Sequence, residues 1–296
     1  MSIIEQLLDP FRYQFFTYGL LAATMAGMLC GLIGVSVVLR RMSYIGHGLS
    51  HSIFGGAVVS YVLGLNFYIG AGLWGLLSAL LINAATRKRK IGADAAIGIV
   101  TTASFAIGVA LISKVRHFVK NFDAALFGNI LGVTESDLWI MAFVLVFTVI
   151  VAFFGYKQLL FSTFDPEVAP TYGVPTGWVD AVFSLVLAAT IIATMQVMGV
   201  TLIAASIVIP SICARMLTDS FARMLVLSTI IGGVCGALGM LISYYYDVSS
   251  GATIVLFSAA FFLLVLAYNW VRTRFSHGQS AGLRRLAAAE TSDLFE

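Results

Sequence analysis

The hydrophobic and polar positions along the chain form long apolar runs, most of them roughly 20 residues, separated by short polar joints. The runs do not alternate between apolar and polar residues as the roughly ten-residue strands of a membrane β-barrel do. Because lipid offers no hydrogen-bond partners, each run must satisfy its own backbone groups as a helix. The pattern predicts an all-α, polytopic transmembrane bundle of about eight or nine helices. The candidate spans are residues 15–39, 44–65, 67–85, 93–113, 138–156, 179–197, 201–214, 224–245 and 252–271.

Composition supports this prediction and excludes a soluble enzyme. Of the 296 residues, 60% are hydrophobic and only 10% are charged, against about 25% charged residues in ordinary soluble domains. So few charges do not cover a globular surface. The net charge of +3 is small, and its spread among the loops gives no support for nucleic-acid binding.

The distribution of basic residues predicts the orientation, because Lys and Arg accumulate in cytoplasmic loops. With the N-terminus outside, only Arg12, Lys114, Arg116 and Lys120 of the 17 Lys and Arg residues fall outside, and the other thirteen are cytoplasmic. We therefore expect an external N-terminus and a cytoplasmic C-terminus. We also expect a transmembrane domain over residues 1–271 and a cytosolic tail over residues 272–296.

Two histidines lie within an apolar run, in the stretch YIGHGLSHSIFGG, whereas Asp94 and Asp180 lie only at predicted span ends. Ionisable residues inside a membrane are costly and indicate function. His47 and His51 are four residues apart, so a helix presents both imidazoles on one face, about 6 Å apart, where they can share a metal ion. The structural alternative is a pair of neutral histidines hydrogen-bonded to neighbouring carbonyls.

The histidine pair does not form a complete metal site or a zinc hydrolase. A tetrahedral site needs more than two ligands, so other helices or a second copy of the chain must supply the rest. In the metalloprotease pattern HExxH, a glutamate after the first histidine acts as general base. Gly48 occupies that position here, which excludes that chemistry.

The loop STFDPEVAPTYGVPTGW has the composition of a short helix. Asp165 suits its N-cap, Pro166 its first position and Glu167 its dipole, while Gly173 suits its end. We expect a helix of about two turns at the cytoplasmic face, which is a docking element for a cytosolic partner. The alternative is an interfacial helix without a partner.

Two further residues are candidates for a role in transport. Pro210 interrupts the seventh span and is either part of a gate or a packing kink. Asp247, at the outer end of the eighth span, either receives the ion or a binding protein, or is an exposed helix-end carboxylate.

Five stretches together carry a family resemblance: SYIGHGLSHSIFGG, DAAIGIVTTASFAIGVALIS from Asp94, LFGNILGV, VMGVTLIAASIVIPSICARML around Pro210 and SYYYDVSSGATIVL. In this order and spacing, over about residues 15–270, the chain resembles the permease subunits of zinc, manganese and iron ABC importers that work with binding proteins. The first stretch is similar to that family's DALSHAVLPG. The loop FDPEVAPTYGV is similar to the family's coupling helix.

The resemblance implies ATP-driven import of a divalent transition-metal ion across a prokaryotic inner or plasma membrane. ATP would be hydrolysed by a separate cytosolic subunit, since the chain lacks the pattern GxxxxGK[ST]. It further implies a second permease copy, identical or related, an extracytoplasmic metal-binding protein and no resident cofactor. His51 takes the place of the family's histidine, and His47 replaces its aspartate. Nitrogen ligands suit Zn, Fe(II), Ni and Cu better than Mn(II).

Two other functions remain open from the residues. A permease for an organic metal chelate, such as a siderophore or cobalamin, would need a wide conduit without convergent ligands. A proton-coupled secondary transporter would use the histidines as a relay and would need no ATPase partner.

Overall fold

The structure is a computed structural model that describes residues 9–87, 92–114 and 126–292. Every regular element in these ranges is helical, and three of them are single 3₁₀ turns at Asp9–Arg12, Ile130–Gly132 and Ala169–Tyr172. The α-helices are α1 Gln14–Leu39, α2 Ser43–Val62, α3 Phe67–Arg87, α4 Ala93–Lys114, α5 Glu135–Phe154, α6 Tyr156–Phe164, α7 Thr176–Met198, α8 Ile203–Leu217, α9 Phe221–Tyr246 and α10 Ser250–Ser292.

Each of the nine predicted spans coincides with one helix, and α6 is a further short helix among the described residues. Within the described part of the chain, six helices are long and apolar enough to cross a membrane: α1, α5, α7, α9, residues Asp94–Leu111 of α4 and residues Ser250–Thr273 of α10. Shorter apolar stretches occupy α3 and α8. The all-α, polytopic class is thus confirmed.

Two of the predictions about orientation and domains are not tested by these helices. The basic residues 88–90, which contribute to the predicted orientation, lie outside the described part of the chain. The predicted boundary after residue 271 lies inside α10, whose backbone continues as one helix to Ser292. The division into a transmembrane domain and a tail stays a prediction.

Helix α1 lies at the centre of the bundle. In its apolar window 72% of the residues are buried, compared with 17% in α5 and 22% in α10. The outer helices leave large apolar side chains such as Phe143, Phe153 and Leu264 exposed, which is the surface that lipid covers. The central position of α1 therefore follows from burial, whereas hydropathy alone does not distinguish these helices.

Small residues bring α1 into close contact with α9 and α8. A Cβ atom added at Gly27 would collide with the carbonyl of Gly232, and one added at Gly232 would collide with the carbonyl of Gly27. Gly34 meets the carbonyl of Ile207 in the same way. Since lipid provides no hydrophobic drive for helix association, close backbone packing of this kind holds membrane helices together.

Hydroxyl groups add hydrogen bonds at the same junction. The Ser228 Oγ of α9 donates to the Gly31 carbonyl of α1 at 2.6 Å, and the Ser211 Oγ of α8 lies 3.0 Å from the Ser228 Oγ. Both serines are buried. Three helices are thus joined at one carbonyl of α1.

Helices α2 and α4 pack side by side and run parallel to each other. A Cβ at Gly48 would meet Ile97 and Thr101, and a Cβ at Gly55 would meet the backbone of Ser104. The first turns of α2 and α4 therefore lie side by side at one end of the bundle, which positions the site described below.

We predict that Gly27→Ala destabilises the protein by about 2 kcal/mol, because the added methyl group forces two backbones apart. Thermal denaturation in detergent measures the change. Gly72→Ala is the matched control, since a Cβ there meets no atom within 4 Å. Equal melting temperatures for the two variants would contradict the close packing of α1 against α9.

Candidate functional site

An open cavity of about 660 Å³ lies between α2 and α4. Apolar and small residues of both helices form part of its wall. Its polar lining consists of Tyr44, His47 and His51 from α2 and Asp94, Thr101 and Thr102 from α4. The predicted histidine pair is therefore brought to one cavity, together with a carboxylate from another helix.

The two imidazoles lie on one face of α2, as their spacing predicts. Their ring centroids are 4.5 Å apart, with the planes at 76°. His51 also packs edge to face on Phe105 of α4, at 5.0 Å between centroids. His47 is exposed and His51 is half-buried, so the pair reaches from the mouth of the cavity into its wall.

One nitrogen of this pair is buried without a partner. Among the described residues, the Nδ1 atom of His51 has no hydrogen-bond partner. Buried polar atoms are almost always paired, because an unpaired one loses its hydration without compensation. This nitrogen therefore takes no part in hydrogen bonding to a neighbouring carbonyl, and a cation bound to it would supply the missing partner. The choice between a metal-binding pair and a structural pair stays a prediction.

The opposite face of α2 explains why the imidazoles point into the cavity. Leu49 and Ile53 are fully buried in the core. The single Ser50 hydroxyl proton is shared between two carbonyls, that of His47 at 2.8 Å and that of Val200 at 3.1 Å. These contacts fix the rotation of α2 about its axis, so His47 and His51 face α4.

The described residues of a single chain do not complete a metal-binding shell. Within them, no three His, Cys, Asp or Glu side chains lie close enough together to hold a metal ion. Asp94 lines the cavity but is not part of such a group. The sequence marks Asp94 only as a residue at a span end, because its place beside α2 depends on the parallel packing of the two helices.

The predicted helix over Asp165–Gly173 is wrong. The helix here is α6, and it precedes this segment: Asp165 is its C-cap and not an N-cap, with its N–H donating to the Phe161 carbonyl at 2.9 Å. The residue before a proline avoids the helical region, and Asp165 has φ −141° and ψ 64° before Pro166. The α-helix therefore ends at Phe164.

The residues after α6 form turns. The N–H groups of Val168 and Ala169 donate to the Asp165 carbonyl, so Pro166 and Glu167 lie within a turn. One 3₁₀ turn follows at Ala169–Tyr172 and ends at Gly173, which has φ 76°. The prediction that Gly173 terminates a helical turn is confirmed.

This segment and the histidine pair lie at the same end of the bundle. Arg40 follows the last residue of α1, and its guanidinium forms an ion pair with Asp180 in the first turns of α7, at 2.7 Å. Helix α2 begins three residues after Arg40. His47 is therefore about one turn away from the end at which α6 and the Asp165–Gly173 segment connect α5 to α7.

The two remaining candidates lie elsewhere. Pro210 is buried inside α8 and does not line the cavity between α2 and α4. Asp247 is exposed and caps α9 with φ 53°. It lies at the end opposite Arg40, since nearby Tyr244 packs on Phe16 at the start of α1. The suggested roles of Pro210 and Asp247 stay predictions.

Comparison with known proteins agrees with this architecture over nearly the whole chain. The chain is 35% identical over 280 residues to the manganese transport system membrane protein MntC of Halalkalibacterium halodurans, which covers 94% of this chain and 95% of that protein. It is 32% identical to the chelated iron transport system membrane protein YfeD of Yersinia pestis, with 92% of each chain covered.

A solved structure has the same fold. PsaBC from Streptococcus pneumoniae in complex with Fab matches with a TM-score of 0.80 and 32% sequence identity, covering 89% of this chain and 95% of that chain. The family model of the ABC 3 transport family matches residues 12–269. The chain therefore belongs to the ABC 3 transport family, as a multi-pass membrane permease subunit.

Proposed function

We propose that this chain forms the membrane pathway of an ATP-driven importer of a divalent transition-metal ion, and that His47 and His51 bind the ion in transit. The observation that carries the proposal is the orientation of the pair. Both imidazoles face one cavity, and the buried Nδ1 atom of His51 lacks a hydrogen-bond partner among the described residues. A neutral imidazole nitrogen is a common ligand of such metals.

Manganese and iron are the cargoes that the named relatives support. Of these two cargoes, the histidine donors favour iron(II), because imidazole nitrogen suits Fe(II) better than Mn(II). The same donors also suit zinc. The carboxylate of Asp94 lies in the same cavity and offers the oxygen donor that a mixed shell around Mn(II) would use.

A second permease copy, identical or related, would complete the site. Two imidazoles leave a metal ion under-coordinated, and His47 is exposed at the open side of the cavity. A partner that faces this side would contribute its own ligands and close the cavity. No metal ion would stay bound, since transport requires binding that is firm enough to accept the ion and weak enough to release it.

The ATPase subunit would dock at the end that carries Arg40. There the segment around Asp165–Gly173 exposes apolar side chains, with Phe164 58% exposed and Tyr172 72% exposed. An exposed apolar cluster beside polar residues such as Asp165 and Glu167 is typical of a protein-binding surface. This end would face the cytoplasm, and the end with Asp247 would receive the extracytoplasmic binding protein.

We predict that His51→Ala lowers metal uptake at least about tenfold, because it removes a ligand from an already sparse shell. Uptake of Mn, Fe and Zn is measured in liposomes that contain the permease, its ATPase and its binding protein. Thr102→Ala is the matched control, since Thr102 lines the same cavity and offers no imidazole. Wild-type uptake after replacing both histidines with alanine would instead favour a permease for an organic chelate.

A second prediction concerns metal preference. His47→Asp restores an oxygen ligand and should raise uptake of Mn relative to Zn by about tenfold, because Mn(II) prefers carboxylate oxygen. Competition between the two ions in the same liposomes measures the ratio. An unchanged ratio would remove the argument that His47 selects the metal.

A further inference from the structure

Arg40 joins three helices at the end of the bundle where the ATPase is proposed to dock. It follows α1, and its guanidinium binds Asp180 of α7 at 2.7 Å. The same group donates to the Ser162 Oγ at 2.8 Å and the Thr163 Oγ1 at 3.3 Å, both in the last turn of α6. It also lies over the ring of Phe183, 4.5 Å from its centroid.

The Arg40 guanidinium is largely buried among these contacts. The Arg40 side chain is only 10% exposed, and Asp180 is 30% exposed. A planar guanidinium with five N–H donors can bind a carboxylate and two hydroxyls at the same time, whereas a lysine ammonium is a point charge that does not reproduce this fork. Ser162 and Thr163 directly precede the exposed segment that begins at Phe164 and Asp165.

A short turn connects Arg40 to α2, the helix that carries the histidine pair. Only Arg40, Arg41 and Met42 separate α1 from α2. Backbone hydrogen bonds fix this turn: the N–H groups of Arg40, Arg41 and Met42 donate to carbonyls in the last turn of α1 at 3.0–3.1 Å. Arg41 has φ 56°, so the chain reverses within these residues and starts α2. A displacement of Arg40 is therefore passed to the start of α2.

We propose that Arg40 is a positioning residue that transmits movement of α6 and the Asp165–Gly173 segment to α2, and thereby opens or closes the cavity around His47 and His51. The inference rests on the proposed function, because it assumes an ATPase that pushes on this segment. Arg40 binds neither the ion nor nucleotide. It makes α6, the first turns of α7 and the start of α2 move together.

The test removes the hydrogen bonds between Arg40 and α6 and leaves the ion pair between Arg40 and Asp180 in place. In the full complex with ATPase and binding protein, the double variant Ser162→Ala Thr163→Val deletes the hydroxyls of α6 and keeps Arg40 paired with Asp180. The number of metal ions imported per ATP hydrolysed should fall at least about fivefold, since α6 then moves without α2. Arg40→Gln should produce the same loss, and Arg40→Lys a smaller one.

Arg41→Gln is the matched control. It removes the same charge from the neighbouring position, where the structure gives the side chain no ion pair or hydrogen bond with any described residue. Its ratio of ions to ATP should equal the wild-type ratio. Metal binding to the purified permease, measured by calorimetry with Mn(II) and Zn(II), should be unchanged in all these variants, which separates coupling from damage to the site.

Two results would overturn the proposal. The first is a ratio of ions imported to ATP hydrolysed that stays at the wild-type value in Ser162→Ala Thr163→Val. If Arg40→Gln does not assemble, the result of this double variant alone tests the proposal. The other is a loss of metal binding in proportion to the loss of uptake. His51→Ala, measured in parallel, distinguishes this failure from failure of the proposed function: if it abolishes uptake while the Arg40 link proves dispensable, only the coupling inference falls.

Discussion

Helix α2 carries two histidines within an apolar bundle, and glycines beside them let its backbone lie close against α4. Gly48 and Gly55 let the two backbones approach closely, and Ser50 fixes the rotation of α2 by bonding to the Val200 carbonyl. These contacts orient both imidazoles into the cavity between α2 and α4. The exposed position of His47 follows from this placement of α2, and the proposed metal pathway and second permease copy both depend on it.

The sequence was sufficient to predict the helices because an apolar run in lipid has one way to satisfy its backbone. All nine spans coincide with helices, including the short α8, which continues through Pro210. The spacing of His47 and His51 was likewise sufficient to place both on one face, since this depends only on the local geometry of a helix. Features that depend on one residue's position within its own helix were therefore predictable.

Features that depend on tertiary contacts were not. Asp165 has the chemistry of an N-cap, but the apolar residues before it pack on the bundle and form α6: Leu159 lies in a cluster with Val35, Phe221 and Met224. The segment from Asp165 to Gly173 is left as turns. Asp94 and Asp180 look alike in sequence, as single carboxylates at span ends. In the folded chain, Asp94 lines the cavity with the histidines and Asp180 forms an ion pair with Arg40.

The central claim is that both imidazoles coordinate the ion in transit. X-ray absorption at the zinc K edge, on the assembled complex loaded with Zn(II), tests it most directly. The account predicts nitrogen scatterers at about 2.0–2.1 Å with the outer-shell pattern of imidazole, and loss of this pattern in the His47→Ala His51→Ala variant. A shell made only of oxygen, or the same spectrum in that variant, would contradict it.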